Sequence, residues 1–246
     1  MNATSPTMHE EWAHALAQAS EDDTVKVVVV TGAGRAFCAG KNLRLVSPQD
    51  DSGRERRRAA GEHNVALMLH TLTKPYIGAI NGPAVGGGLD MASQCDIRLA
   101  STGATFNTGY IRMGALPSQG GLWTLPRIIG ISHALELLWT GRTFGAEEAL
   151  RIGYVNAVLP QDGFLDHVYT WCKPLVEGPQ VAIREDKRMV YGLEQTKSLS
   201  EAITLTEEAV NQVQGHPDAT EGPRAWLERR HPQFDHNDSD KSRNRQ

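Results

Sequence analysis

Ile77-Gly-Ala-Ile-Asn-Gly-Pro-Ala-Val-Gly-Gly-Gly-Leu-Asp-Met-Ala-Ser-Gln-Cys95 is the segment around which the chain is organised. The mostly apolar run Ile77 to Ile80 reads as a strand, and Leu89 to Cys95 as a helix. Between them lie three consecutive glycines, Gly86 to Gly88. Strand, glycine turn and helix leave backbone N–H groups bare at a helix N-terminus, where anionic oxygen is favoured. Glycines there let a ligand come close to the backbone. A plain tight turn carries the same signature, so both readings stand. Asp90 is likewise open, as a charge suited to the first helical turn or as a base.

Upstream, Lys26-Val-Val-Val-Val-Thr31 is a near-continuous β-branched run, which predicts a strand buried on both faces. An amphipathic helix over residues 8–20 precedes it, with Trp12, Leu16 and Ala19 on one side and Ser5-Pro6 as its start. Helix followed by buried strand, repeated, predicts an α/β layer fold. The strand runs into Thr31-Gly-Ala-Gly-Arg-Ala-Phe-Cys-Ala-Gly40. A dinucleotide fingerprint needs a small residue where Phe37 stands, so that reading is rejected. What remains is a glycine-rich loop, or a second bare-backbone site around Gly40-Lys41-Asn42-Leu43.

Residues 47–62 are polar, with Arg54, Arg56, Arg57 and Arg58 read as a solvated face and a phosphate contact as the alternative. A helix is expected from His63 to Thr71, stopped by Lys74-Pro75. Beyond a strand near Asp96–Ala100, the segment Gly109 to Gly121 is irregular and glycine-rich, and such loops often carry sites. Residues 122–129 and 132–139 read as two helices broken at Gly130, followed by a short helix at 146–152 and a strand piece at 155–159. From Phe164 the pattern is helical, over 164–176, 180–192, 199–213 and near 223–228. Composition divides the chain into an α/β core at 1–164, a helical region at 165–234 and a polar tail at 235–246 that is expected to be disordered.

A chain of 246 residues, 40% hydrophobic and 22% charged, is ordinary for a globular protein and long enough for a sizeable core. Its net charge of −4 gives no support to nucleic-acid binding. No apolar run reaches the length of a membrane span, and the N-terminus lacks the basic start and apolar core of a secretory signal. Three widely spaced cysteines without a CxxC pair argue against a disulfide framework or a zinc site and suit a reducing cytoplasm.

Taken together, the ordered blocks resemble the crotonase, or enoyl-CoA hydratase/isomerase, superfamily from Asn2-Ala3 to about Phe234. The carriers are Val27–Gly34 with Arg35-Ala-Phe-Cys-Ala-Gly40, then Lys74-Pro75, Ile80-Asn-Gly82 and Gly86-Gly-Gly88. Leu125-Pro-Arg-Ile-Ile-Gly130, Ala146-Glu-Glu-Ala-Leu-Arg-Ile-Gly153 and Glu221-Gly-Pro-Arg-Ala-Trp-Leu-Glu-Arg-Arg230 follow. The resemblance implies a spiral ββα core, a C-terminal helical trimerisation region, and assembly as a homotrimer or a hexamer of paired trimers. It also implies an acyl-CoA thioester ligand, with coenzyme A entering as part of the substrate and no separate cofactor. By position, the backbone N–H groups of Lys41 and Gly87 would form an oxyanion hole for the thioester carbonyl. Ala39, Gly40, Asn42, Leu43 and Gly86 would line the substrate.

The departures are as informative as the matches. Hydratases of this superfamily use two glutamates; here the first place holds Asp90 and the second Tyr110. Where isomerases and dehalogenases carry an aspartate, this chain has Ser118, so dehalogenation through an aspartate nucleophile is not expected. His63 stands twelve residues before Pro75, the spacing of a histidine in the 4-chlorobenzoyl-CoA dehalogenases, and Arg44 echoes their Leu-Arg. His63 is read either as a helix-surface residue or as a general base, and Ser118 as a turn cap or a catalytic group. The β-hairpin that usually precedes the segment matching Asn2-Ala3 is not in this sequence. The leading expectation is an enzyme of the hydratase/isomerase type that stabilises a thioester enolate. The alternatives are an acyl-CoA hydrolase or decarboxylase, or a non-catalytic acyl-CoA binder.

Overall fold

The computed structural model describes residues 1–42 and 62–234, and the side chains of Glu62, His63, Asn64 and Gln195 lie outside that description. Leu43, Arg44, the arginines of 54–58 and the tail after residue 234 fall outside the described residues too.

Among the described residues, α1 spans Pro6–Glu21, β1 Val28–Thr31, α2 Glu62–Thr71, β2 Tyr76–Ile80, β3 Ala84–Val85 and α3 Gly87–Ser93. Then come β4 Ile97–Ser101, β5 Thr105–Asn107, a 3₁₀ turn at Tyr110–Met113, α4 Gly121–Thr140 and β6 Phe144–Gly145. The chain continues through α5 Ala146–Arg151, β7 Ala157–Leu159, α6 Phe164–Glu177, α7 Gln180–Gly192, α8 Leu199–Gln214 and α9 Asp218–Leu227. The helix starts at Pro6, as its proline and the Ser5 hydroxyl that accepts from Met8 N–H dictate.

The chain sorts into two compact units, the first made of Met1–Ala19, Val29–His70 and Tyr76–Thr170. A four-stranded sheet runs in the order β1-β2-β4-β7. β2 and β4 are parallel, pairing Ile77 with Ile97 through Ile80 with Ala100, and β4 and β7 are parallel with Leu99 opposite Ala157. All five residues of β2 are buried, as its continuous apolar run requires in the interior of a parallel sheet. The expectation for the valine run is corrected. Val28 to Val30 are only partly buried and Thr31 is exposed, because β1 stands at the edge of its sheet rather than inside it.

A second sheet, in the order β3-β5-β6, has strands of two or three residues, too short to leave a period in the sequence. β3 and β5 are parallel and β5 and β6 antiparallel. Its core is aromatic: Phe106 stacks on Phe144 at 5.3 Å and meets Tyr154 edge-on at 5.1 Å. All three rings are buried. The break expected at Gly130 is present, where φ 76° and ψ 160° interrupt α4.

The second unit comprises Ser20–Val28, Thr71–Pro75 and the chain from Trp171 onward. Its lysines tie backbone together: the buried Lys74 Nζ donates to the Asp22 carbonyl at 2.6 Å, and Lys187 Nζ to the Lys74 carbonyl at 3.0 Å. The buried Gln180 amide donates to the carbonyls of Leu175 and Gly178 at the turn between α6 and α7.

Phe106→Ala removes the ring that joins both others and is expected to destabilise the protein by about 3–5 kcal/mol in chemical denaturation.

Candidate active site

The backbone of residues 37–40 lies alongside that of residues 83–87. Phe37 and Cys38 N–H both donate to the Pro83 carbonyl at 3.1 Å, and Val85 N–H donates to the Cys38 carbonyl at 2.9 Å. A parallel bridge pairs Cys38 with Ala84. Close approach explains two glycines in these loops. A Cβ on Gly40, where φ is +77°, would lie 2.5 Å from the Val85 carbonyl oxygen and 3.3 Å from Gly87 N. A Cβ on Gly88 would lie 2.1 Å from the Cys38 carbonyl oxygen. Any side chain at either place would push the loops apart.

The N-terminal segment braces the first loop from its other side. Ala39 N–H donates to Met1 O, Thr4 N–H to Gly40 O, and Thr4 forms a parallel bridge with Lys41. The Asn2 side chain donates to the carbonyls of Ala36 and Phe37. Asn42 N–H reaches the Thr4 carbonyl at 3.4 Å, so Ala39, Gly40, Lys41 and Asn42 form one continuous rim. The Lys41 side chain is exposed. Among the described residues, neither the Lys41 N–H nor the Gly87 N–H is matched to an acceptor.

The second loop also anchors what hangs over it. Gly86 N–H donates to the Asn107 carbonyl at 2.9 Å, at the end of β5. The Asn107 amide donates to Gly141 O and Thr143 Oγ1, and the Thr108 hydroxyl to Leu137 O, so α4 and its C-terminal turn fix this segment. Tyr110 follows directly. Its hydroxyl lies 3.9 Å from the position of a Cβ on Gly87, and it donates to Asp90 Oδ2 at 2.6 Å.

Asp90, on the first turn of α3, is 1% exposed. Burial pushes its carboxyl up to about 6, against the opposing hydrogen bond from Tyr110 and the backbone N–H of Gln119. Oδ1 is buried and, among the described residues, has no hydrogen bond of good geometry. A Cβ on Gly121 would lie 2.1 Å from that oxygen, so the loop leading into α4 closes over the carboxyl only because residue 121 is glycine.

Of the residues singled out from sequence, the structure thus gathers Gly40, Lys41, Gly86, Gly87, Asp90 and Tyr110. Ser118 is exposed on its loop, whereas its neighbour Gln119 is buried and turns toward Gly87. Gln119 escaped the sequence reading because nothing in a single glutamine after a proline-containing turn signals inward orientation. His63 sits in α2 with its side chain outside the described residues, as is Leu43. A hollow of about 270 Å³ opens elsewhere in the same unit, lined by Asn2, Met8, Val30, Phe37 and Met91 among others. Its lining is mostly apolar and includes neither Asp90 nor Tyr110. Among the described residues no His, Cys, Asp or Glu cluster could hold a metal ion, and no helix is long and apolar enough to cross a membrane.

Residues 1–237 match the family described as enoyl-CoA hydratase/isomerase. The Mycobacterium tuberculosis protein named "Probable enoyl-CoA hydratase" is 41% identical over 184 residues, which cover 72% of this chain and 65% of that protein's length. The 1,2-epoxyphenylacetyl-CoA isomerase of Escherichia coli is 31% identical over 95% of this chain and 90% of its own. Among solved structures, the enoyl-CoA hydratase from Bacillus anthracis superposes with a TM-score of 0.87 at 30% identity, covering 94% of this chain and 90% of that one.

Asp90 has a testable signature. Its carboxyl is expected to titrate near pH 6 in ¹³C-aspartate NMR, and Tyr110→Phe, which removes the hydrogen bond favouring the ionised form, to move it higher. A raised acid favours the native state while protonated. The stability from this group is therefore present below pH about 4 and lost as pH rises through about 6. Asp90→Asn should remove that slope from thermal melts across the window.

Proposed function

Because this chain belongs to the enoyl-CoA hydratase/isomerase family, we propose that it acts on an acyl-CoA thioester by stabilising an enolate at the Gly87 site. The observation that carries this reading is a pair of N–H groups, Lys41 and Gly87, without an acceptor among the described residues, on two backbones held against each other. In it, the thioester oxygen accepts from both, and the negative charge that develops there meets donors already in place.

The proton-handling group is the Asp90–Tyr110 pair. A phenol alone is a poor base near neutral pH. With Asp90 ionised, the Tyr110 oxygen takes a proton from the carbon beside the thioester carbonyl while its own proton passes to Asp90 Oδ2. Reversal returns a proton at either end of the enolate system, which moves the double bond. Water addition runs through the same relay, with the water's proton taken in place of carbon's. Hydrolysis or decarboxylation would use the same N–H pair, and product analysis separates them.

Assembly as a homotrimer or paired trimers fits the apolar surface of the second unit, where Leu199, Ile203, Trp226 and Leu227 are exposed on α8 and α9. Light scattering of the purified protein tests it, and a monomer across the micromolar range would refute it. Buried Cys38, Cys95 and Cys172, widely spaced in the sequence, fit a reducing compartment such as the cytoplasm.

The enzymatic reading is tested by incubating the protein with crotonyl-CoA and 3-enoyl-CoA thioesters and following products by mass spectrometry. Conversion is expected, with a rate that rises through pH about 6 as Asp90 ionises. Gly87→Pro deletes one donor at a helix-start position that accepts proline and should cost about 10²–10³ in kcat. Tyr110→Phe should cost about 10²–10⁴. Inertness toward every chain length, or full activity in Gly87→Pro, would overturn the reading.

A further inference from the structure

His9 lies on α1, is 2% exposed, and has no part in the chemistry above. Its Nδ1 is 2.8 Å from the Ser5 carbonyl oxygen. A carbonyl can only accept, so in the neutral ring Nδ1 carries the proton and Nε2 is a bare acceptor. Facing that acceptor at 3.2 Å is Gln119 Nε2. The contact is sound only with the glutamine NH₂ donating to histidine, and the tautomer fixed by Ser5 therefore fixes the amide of Gln119.

The other end of that amide is then determined. Gln119 Oε1 lies 3.7 Å from the position of a Cβ on Gly87, on the side where the Tyr110 hydroxyl lies at 3.9 Å. Gln119 is 8% exposed, and among the described residues no donor reaches Oε1. Its backbone is held as firmly, since its carbonyl accepts from the Gln94 amide. An amide oxygen left without a protein donor takes its hydrogen bond from whatever occupies the space it faces.

We propose that Gln119 Oε1 is the acceptor for an O–H group of the reacting molecule, either a hydroxyl on the acyl chain or the water that adds to it. His9 is the positioning residue that keeps this oxygen, rather than the NH₂, turned inward. The assignment rests on the acyl-CoA reading of the Gly87 site. The two sides of the site are then complementary. The Lys41 and Gly87 N–H groups donate to the thioester oxygen, and Gln119 Oε1 accepts a hydrogen bond from the neighbouring hydroxyl. A hydroxyacyl thioester satisfies both sides, whereas a saturated acyl thioester satisfies only the first.

Calorimetric titration with 3-hydroxybutyryl-CoA and butyryl-CoA tests the pair. Gln119→Met, close in volume, should weaken the hydroxylated ligand roughly tenfold while leaving butyryl-CoA within about twofold. His9→Phe should produce the same selective loss, because the amide is then free to turn. His9→Gln places an acceptor oxygen near the lost Nε2 and should restore the preference, which a merely structural role would not predict. Equal losses on both ligands, or an unchanged preference in Gln119→Met and His9→Phe, would overturn the proposal. Wild-type protein that binds neither thioester is a different result and brings down the acyl-CoA reading itself.

Discussion

The site depends on a few backbone hydrogen bonds that hold residues 37–40 against residues 83–87. Each loop is unremarkable alone. Held together, they leave no room for a side chain at Gly40 or Gly88 between them. Such bonds contribute about 1 kcal/mol each in net stability, yet their geometric consequence is larger than their energy. A donor pair preorganised before substrate arrives has no reorganisation left to do when charge develops. The brace from Met1–Thr4 acts in the same sense, fixing the first loop from its free side.

The second constraint is a carboxyl placed where carboxyls do not belong. Asp90 stands in sequence among Leu89, Met91 and Ala92, which belong to the hydrophobic core, and burial raises its proton affinity. Among the described residues only Tyr110 donates a good hydrogen bond to it, and Oδ1 has none. Such incomplete satisfaction is uncommon and costs stability. It also gives an acid near pH 6, which can both take and return a proton close to neutrality. The loss of stability and the fitness for proton transfer have one cause.

The network continues beyond Asp90. Gln119 approaches the carboxyl by its backbone N–H and Gly87 by its side chain, and His9 on α1 fixes the latter. Elements far apart in the sequence thus meet over Gly87: the first helix, the 83–90 turn, the Tyr110 turn and the loop entering α4.

Much of this was legible in the chain. The order of strands and helices, the stop at Lys74-Pro75 and the break at Gly130 all follow from local chemistry, because proline, glycine and apolar periodicity act over a few residues. So did Gly40, Gly87, Asp90 and Tyr110 as residues to watch. Sequence could not reveal that the Val28–Thr31 strand is an edge, since edge and interior strands share a composition and differ only in their neighbours. Strands as short as Ala84–Val85 and Phe144–Gly145 carry no period at all. Nor could it choose between Ser118 and Gln119, adjacent residues of which one faces solvent and the other the site. Local propensity determined which segments form. Only the packing of distant segments decided which groups lose water, and burial is what gives Asp90, Gln119 and His9 their chemistry.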